Sequence, residues 1–267
     1  MASVTPHYET LLVETVRPHV LLVTMNRPEV GNAKNTKMGE EMLALWTGLI
    51  AHPGDIRCVV LTGAGEKIFS AGGDLKARKG MTDEQWQHQH EIFERGRDAL
   101  LELPMPIIAA VNGHAYGGGT EAVLACDFAY AVRTARFALT EVTVGIMPGG
   151  GGTQLAPRAM GSRRAMEFIC TGAPIGAEQA LEWGILNQVC EPGTLIETVL
   201  ATAEKIAANA PLSIRQAKKS IRAGMQTDLR TGLMFEIEAY NRLVTTEDRR
   251  EGVLAFNEKR KPVWKAR

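Results

Sequence analysis

Apolar residues along the chain fall first into short, strand-like runs separated by turns and later into helical spacing. Residues 19–25, HVLLVTM, read as a buried strand closed by Asn26-Arg27-Pro28, where proline and the restricted residue before it turn the chain. Over 40–51 the period changes, and Met42, Leu43, Leu45, Trp46, Leu49 and Ile50 share one broad helical face. Residues 57–62 return to strand character ahead of Gly63-Ala64-Gly65, and 83–103 predict a long helix halted at Leu103-Pro104-Met105-Pro106. Strands are expected at 107–111, 128–132 and 185–189, and helices at 162–171 and 177–183. From about residue 193 the pattern is helical almost throughout, over 195–208, 211–225 with Pro211 in a favourable first helical position, 229–243 and 246–260. The order predicts an α/β core over 1–192 and a helical region over 193–267.

The chemistry gathers where strands end in glycine. Residues 110–121, AVNGHAYGGGTE, run from the 107–111 strand through a turn into an apolar helix. Gly117, Gly118 and Gly119 remove every Cβ there, so backbone N–H groups at a helix N-terminus can approach a ligand closely. Such a turn suits an anion or a developing oxyanion. Residues 69–75, FSAGGDL, form a second small-residue turn after an apolar strand and could supply another donor. Glu121 lies in the first helical turn, and Glu141 follows after the 128–132 strand. Two facing donors with two carboxylates are what a reaction through a thioester enolate requires, the donors to hold oxygen and the acids to move protons. Taken singly, Glu121 also reads as a residue that favours the helix dipole and Glu141 as a surface carboxylate.

Other motifs compete for the same residues. Gly117-x-Gly119-x-x-Ala122 matches a dinucleotide fingerprint and predicts an NAD-dependent oxidoreductase, although residues 112–116 separate its glycines from the strand and an acid sits where pyrophosphate would lie. Gly149 to Gly152 resemble a phosphate loop but lack the Gly-Lys-Ser/Thr ending. His88 and His90, two apart on a helix, do not face each other, and no metal site is expected.

Three segments in this order, AGGDLK at 71–76, NGHAYGGGTE at 112–121 and FALTEVTVGIMPGGGGTQL at 137–155, closely resemble the enoyl-CoA hydratase (crotonase) superfamily, and the resemblance runs from about residue 21 to the C-terminus. It implies a crotonase-like spiral of repeated ββα units, with a C-terminal helical region that drives trimers and, commonly, hexamers. It implies that the N–H groups of Gly73 and Gly118 polarise a thioester carbonyl, and that Glu121 as base and Glu141 as acid add water across a 2-enoyl-CoA. Coenzyme A enters as part of the substrate, with no prosthetic group. Its contacts are expected at Ala33, whose segment offers backbone to the adenine, at Ala71 in the first glycine turn, at Lys76 toward a phosphate, and at Phe256 and Lys259, sometimes on a neighbouring subunit. Lys34 departs from the pattern, since an apolar residue usually follows the alanine. An enoyl-CoA isomerase is an alternative, although isomerases often keep only one of the two carboxylates. Residues 217–262 look especially like methylglutaconyl-CoA hydratases, some of which bind AU-rich RNA. Here Lys37 shares its helix with Glu40 and Glu41, so a basic stripe for RNA is missing.

Composition narrows the partners. Thirty Lys and Arg balance thirty Asp and Glu, which leaves no global field for nucleic acid or an anionic membrane. No apolar run reaches the roughly 20 residues of a membrane span. Cys58, Cys126, Cys170 and Cys190 have no metal-like spacing and read as reduced thiols, mostly buried. The N-terminus shows neither a secretory h-region nor an Arg-rich transit pattern, so a cytoplasmic location is expected.

Overall fold

A computed structural model describes residues 8–267, and the reading of the extreme N-terminus therefore falls partly on residues 1–7, outside the described residues. The strands are β1 Leu11–Arg17, β2 Val20–Met25, β3 Cys58–Gly63, β4 Ile68–Ser70, β5 Ile107–Val111, β6 His114–Tyr116, β7 Phe128–Val132, β8 Arg136–Ala138, β9 Ile175–Gly176 and β10 Gln188–Cys190. The helices are α1 Thr36–Ala51, α2 Leu75–Arg78, α3 Asp83–Glu102, α4 Gly118–Ala125, α5 Gly152–Met160, α6 Ser162–Thr171, α7 Ala177–Glu182, α8 Leu195–Ala207, α9 Pro211–Gly224, α10 Leu229–Val244 and α11 Glu247–Asn257.

Two sheets share the strands. One has the order β1-β2-β3-β5-β7-β10, parallel except for the β1–β2 hairpin, and the other β4-β6-β8-β9, parallel except for β9. Each consecutive pair, β3 with β4, β5 with β6 and β7 with β8, places its first strand in the larger sheet and its second in the smaller. The chain thus winds as a spiral, one strand per sheet per turn. Strands β3 and β5 are buried at every residue, which is why their sequences run apolar without alternation.

This winding positions the site. Because β4 and β6 are parallel neighbours, the turns that leave them, at 71–74 and at 117–118, emerge side by side. Gly119 permits that closeness, since a Cβ there would fall 2.2 Å from the Ser70 carbonyl oxygen. The glycine that fits a dinucleotide fingerprint is therefore explained by helix-on-strand packing.

Helices α1 and α3 pack on each other over the mouth of this region, with Gly39 making room for the Phe93 ring. Asn35 caps α1 by accepting from the Met38 amide, and Thr82 and Gln85 form a reciprocal capping box on α3. Helix α8 covers the larger sheet, burying Leu195, Val199, Leu200 and Ala203 against β2, β3, β5 and β7. Helices α9 and α10 pair with each other, and α9 is moored to the core where Asp127 meets Lys218 and Arg222, both at 2.8 Å.

Two sequence expectations shift. The strand expected at 185–189 begins only at Gln188, because the amides of Ile185 and Leu186 donate back to Ala180 in a turn. Strand β1 is absent from the sequence reading; of its residues only Leu11 is fully buried, so it carries no clear alternation.

Candidate active site

The amide N–H groups of Gly73 and Gly118 border a single cavity of about 430 Å³. Among the described residues neither amide donates to a protein acceptor. They are close neighbours: a Cβ on Gly118 would lie 3.7 Å from the Gly73 nitrogen. Gly72 sets this approach. Its φ of +88° is one that side-chain-bearing residues rarely adopt, and a Cβ there would fall 2.8 Å from the Gly118 nitrogen and 2.7 Å from the Tyr116 carbonyl oxygen. On the far side of Gly73, Lys34 donates to the Gly72 carbonyl at 2.7 Å and accepts from Asp74 at 3.0 Å, which pins the turn.

Glu121 projects from the first turn of α4 and is buried. Its Oε1 accepts two backbone amides, Gly150 at 2.7 Å and Gly152 at 2.8 Å. The glycine run that could pass for a phosphate loop thus holds an anion of the protein itself. A side chain on Gly150 would collide with it, the Cβ falling 2.4 Å from Oε2. With Oε1 occupied, Oε2 is the carboxylate oxygen that takes no protein partner among the described residues, and it lies on the side of Gly118.

Glu141 enters from the short 3₁₀ turn Glu141–Val144. Its Oε1 lies 3.0 Å from the point a Cβ on Gly117 would occupy, and its Oε2 is buried without a hydrogen-bond partner among the described residues. Burial, with the Glu121 charge nearby adding to it, pushes its carboxyl up to about 7. One cavity wall therefore carries two carboxyls in different settings, one oriented by two amides and one with a buried oxygen left without a partner among the described residues.

The sequence pattern of the enoyl-CoA hydratase/isomerase family matches residues 16–267. The chain belongs to that family. It is similar to the short-chain-enoyl-CoA hydratase of Clostridium acetobutylicum, 42% identical over 246 residues that cover 91% of this chain and 92% of the relative. It is also similar to the (E)-benzylidenesuccinyl-CoA hydratase of Thauera aromatica, 40% identical over 252 residues that cover 94% of this chain and 97% of that one. The crystal structure of an enoyl-CoA hydratase from Bacillus anthracis superposes with a TM-score of 0.95 at 44% identity, covering 97% of this chain and all of the other. The fold is the mixed α/β crotonase fold with a C-terminal helical region.

Against this family frame, the expected contact residues separate. Gly73, Gly118, Glu121 and Glu141 line one cavity, and Ala71 joins them. Ala33 is buried, its carbonyl accepting from Arg27 at 2.6 Å and its amide donating to Val30, so its backbone is largely spoken for. Lys76 is exposed outside the cavity wall. Phe256, 83% exposed, and Lys259 also lie outside the cavity of their own chain. Lys37 is held by Glu41 at 3.6 Å, and Thr10 and Glu9 amides complete the Glu41 shell.

Lys34, Arg78 and Arg97 are charged cavity residues that the sequence reading missed as side chains. For Lys34 the signal was its departure from the apolar pattern. Met42, Trp46, Leu61 and Leu100 are among the apolar residues of the wall. Among the described residues no cluster of three potential ligands could hold a metal, and no helix is long and apolar enough to cross a membrane.

Proposed function

We propose that this protein is a 2-enoyl-CoA hydratase. The observation that carries the reading is the pair of differently set carboxyls, Glu121 and Glu141, beside the free amides of Gly73 and Gly118. The thioester oxygen of the substrate accepts from both amides, which stabilise the enolate as negative charge grows there; one such donor is worth roughly 3 kcal/mol in a transition state. Oε2 of Glu121 takes a proton from water as the water oxygen bonds to C3. The C2–C3 π electrons move onto the thioester oxygen. When the enolate collapses, Glu141 delivers a proton to C2, so that one water is added and the two carboxyls have exchanged protonation states. An acid near 7 holds its proton in about half the molecules at neutral pH, which suits it as donor.

A single shuttling carboxylate suffices to move a double bond, so a pair of carboxyls favours hydration over isomerisation. The test is loss of the conjugated enoyl-thioester absorbance with crotonyl-CoA, beside Glu121→Gln and Glu141→Gln. Fast loss in the native protein and at least a hundredfold slower loss in both variants is expected. Conversion of a 3-enoyl-CoA without hydration would overturn the reading in favour of an isomerase.

We also infer a homotrimer, able to pair into a hexamer. Helices α9 and α10, with Met225 at the end of α9, leave Ile221, Met225, Leu233, Met234, Ile237 and Tyr240 exposed, and exposed apolar side chains gathered on paired helices mark an interaction surface. Phe256 and Lys259 then reach the coenzyme bound to a neighbouring subunit.

A further inference from the structure

Three cationic side chains line the cavity, Lys34, Arg78 and Arg97; Arg97 is paired with Asp98 at 2.7 Å, and the hydration chemistry uses neither of the other two. The Lys34 ammonium lies 5.1 Å from the centroid of Phe93, and the Arg78 guanidinium lies 4.3 Å from that of Trp86 and 5.8 Å from Phe93. Both rise beside the oxyanion donor. The Lys34 backbone bridges to Gly73, and the guanidinium carbon of Arg78 is 3.3 Å from the point a Cβ on Gly73 would occupy.

Neither has a counter-ion. Among the described residues no carboxylate oxygen comes within 4.0 Å of the charged nitrogens of Lys34 or Arg78. Asp74, the acid closest to Arg78 in the chain, is committed elsewhere, accepting from Arg27 at 2.9 Å and from the Ala77 amide at 3.0 Å. Arg78 instead donates through Nε to the neutral Gln89 amide at 2.7 Å, and Gln89, itself buried, donates to Thr36 at 2.8 Å. That arrangement fixes the guanidinium while leaving both terminal nitrogens without a protein acceptor among the described residues. Burial lowers the affinity of both side chains for their protons; at Lys34 the Glu121 charge opposes this and the Arg78 charge adds to it, and at Arg78 the Asp74 charge opposes it. Two like charges held in an apolar wall without a partner are costly, and an anion between them would remove that cost.

We propose that the acyl group this enzyme takes carries a second carboxylate, so that its substrate is the mono-CoA thioester of a short unsaturated dicarboxylic acid, with the free carboxylate seated between Lys34 and Arg78. The planar guanidinium offers two parallel N–H donors and the ammonium a third charge-assisted bond. Because the Arg78 guanidinium lies against Gly73, whose amide faces the thioester oxygen in the proposed reaction, the second carboxylate lies only a side chain's length from the thioester, which restricts the acyl group to a short one. The reaction assigned to this substrate rests on the hydratase reading, whereas the binding preference does not.

The two are separated by measuring them apart. Glutaryl-CoA and pentanoyl-CoA have the same chain length, differ in the terminal carboxylate and cannot be hydrated, so calorimetric titration of the native protein with each reads the preference without turnover. Glutaryl-CoA is expected to bind at least tenfold tighter, by an advantage that shrinks as salt rises and that Lys34→Met and Arg78→Met each reduce about tenfold or more, with Arg78→Lys recovering part of it. Equal affinities, or a preference untouched by either substitution, would overturn the proposal. So would equal weakening of both thioesters in the variants, because the cations would then serve the phosphates of the coenzyme. Absorbance loss with glutaconyl-CoA and with crotonyl-CoA tests the hydratase reading on its own: a carboxylate preference without turnover of either would leave the binding site standing and remove the reaction.

Discussion

The amide of Gly150 donates to Oε1 of Glu121 across 29 positions of sequence, at 2.7 Å, and the absence of a Cβ on Gly150 is what lets the carboxylate lie there. Orientation of a proton-transferring group to within a fraction of an ångström decides how often it meets its water. Gly150→Ala has no unusual backbone angle to strain, so its added Cβ acts on Glu121 alone. We expect kcat with crotonyl-CoA to fall about a hundredfold, with a much smaller change in KM, because the group displaced works on the water more than on the coenzyme. Stopped-flow absorbance checks the ratio. A loss confined to KM would mean that the turn serves binding.

How far the sequence revealed this site depended on how local the cause was. The order of strands and helices was legible because β3 and β5 are short apolar runs and α1 and α3 carry helical spacing. Gly73, Gly118, Glu121 and Glu141 were legible because each sits at a glycine turn or a motif of fixed spacing. The partner of Gly150 was not, since nothing in Gly149 to Gly152 says which anion their amides meet. Arg78 was hidden for a related reason. In sequence it ends a four-residue helix and looks solvated; it turns inward because Gln89, eleven residues later on α3, accepts its Nε and Trp86 stacks beneath it.

Glu141 links pH to both activity and stability. Its carboxyl binds a proton more tightly in the folded protein, near 7, than in the unfolded chain, near 4.5. Below about 4.5 the group is neutral in both states and has no effect. As pH rises through 7 the folded protein must hold a charge in a poorly solvated place, and stability falls. Glu141 is half-buried, and solvent screening limits the effect to the order of 1 to 2 kcal/mol. Glu141→Gln is therefore expected to unfold at a higher temperature than the native protein at pH 8, with the difference vanishing at pH 4.5, while hydration is lost. In the native enzyme kcat/KM should decline as pH passes about 7, because the donor loses its proton. A variant less stable at pH 8 would show that the charge is compensated by a group not yet assigned.

Asp127 ties the helical C-terminal region to the core. Its carboxylate meets Lys218 and Arg222 at 2.8 Å each and accepts the Ile107 amide at the start of β5, while Lys218 also donates to the Met105 carbonyl at 2.8 Å. The Lys218 side chain is only 8% exposed, so Asp127→Ala leaves a nearly buried ammonium without its anion. Removing one partner of such a pair costs about 3–5 kcal/mol. Urea unfolding should register the loss at neutral pH. Burial already pulls the Lys218 amine below its ordinary range, and without Asp127 it gives up its proton more readily, so the loss should shrink at alkaline pH. A loss independent of pH would assign the destabilisation to the lost Ile107 hydrogen bond instead.

In the proposed trimer the apolar face of α10 connects assembly to the coenzyme. Met234 and Ile237, 66% and 55% exposed, stand three residues apart on one side of the helix, next to Leu233 and Tyr240. Replacing both with glutamate in a trimer would bury two unpaired charges per subunit, which the interface cannot tolerate. Sedimentation of Met234→Glu/Ile237→Glu is expected to give a monomer where the native protein gives a trimer or hexamer. Since Phe256 and Lys259 lie outside the cavity of their own chain, the monomer should also bind butyryl-CoA about tenfold more weakly, as though it had lost those contacts. Phe256→Ala in the intact oligomer should reproduce part of that weakening without changing the sedimentation. A monomer that binds the thioester at native affinity would confine the coenzyme contacts to one subunit and assign Phe256 to the surface.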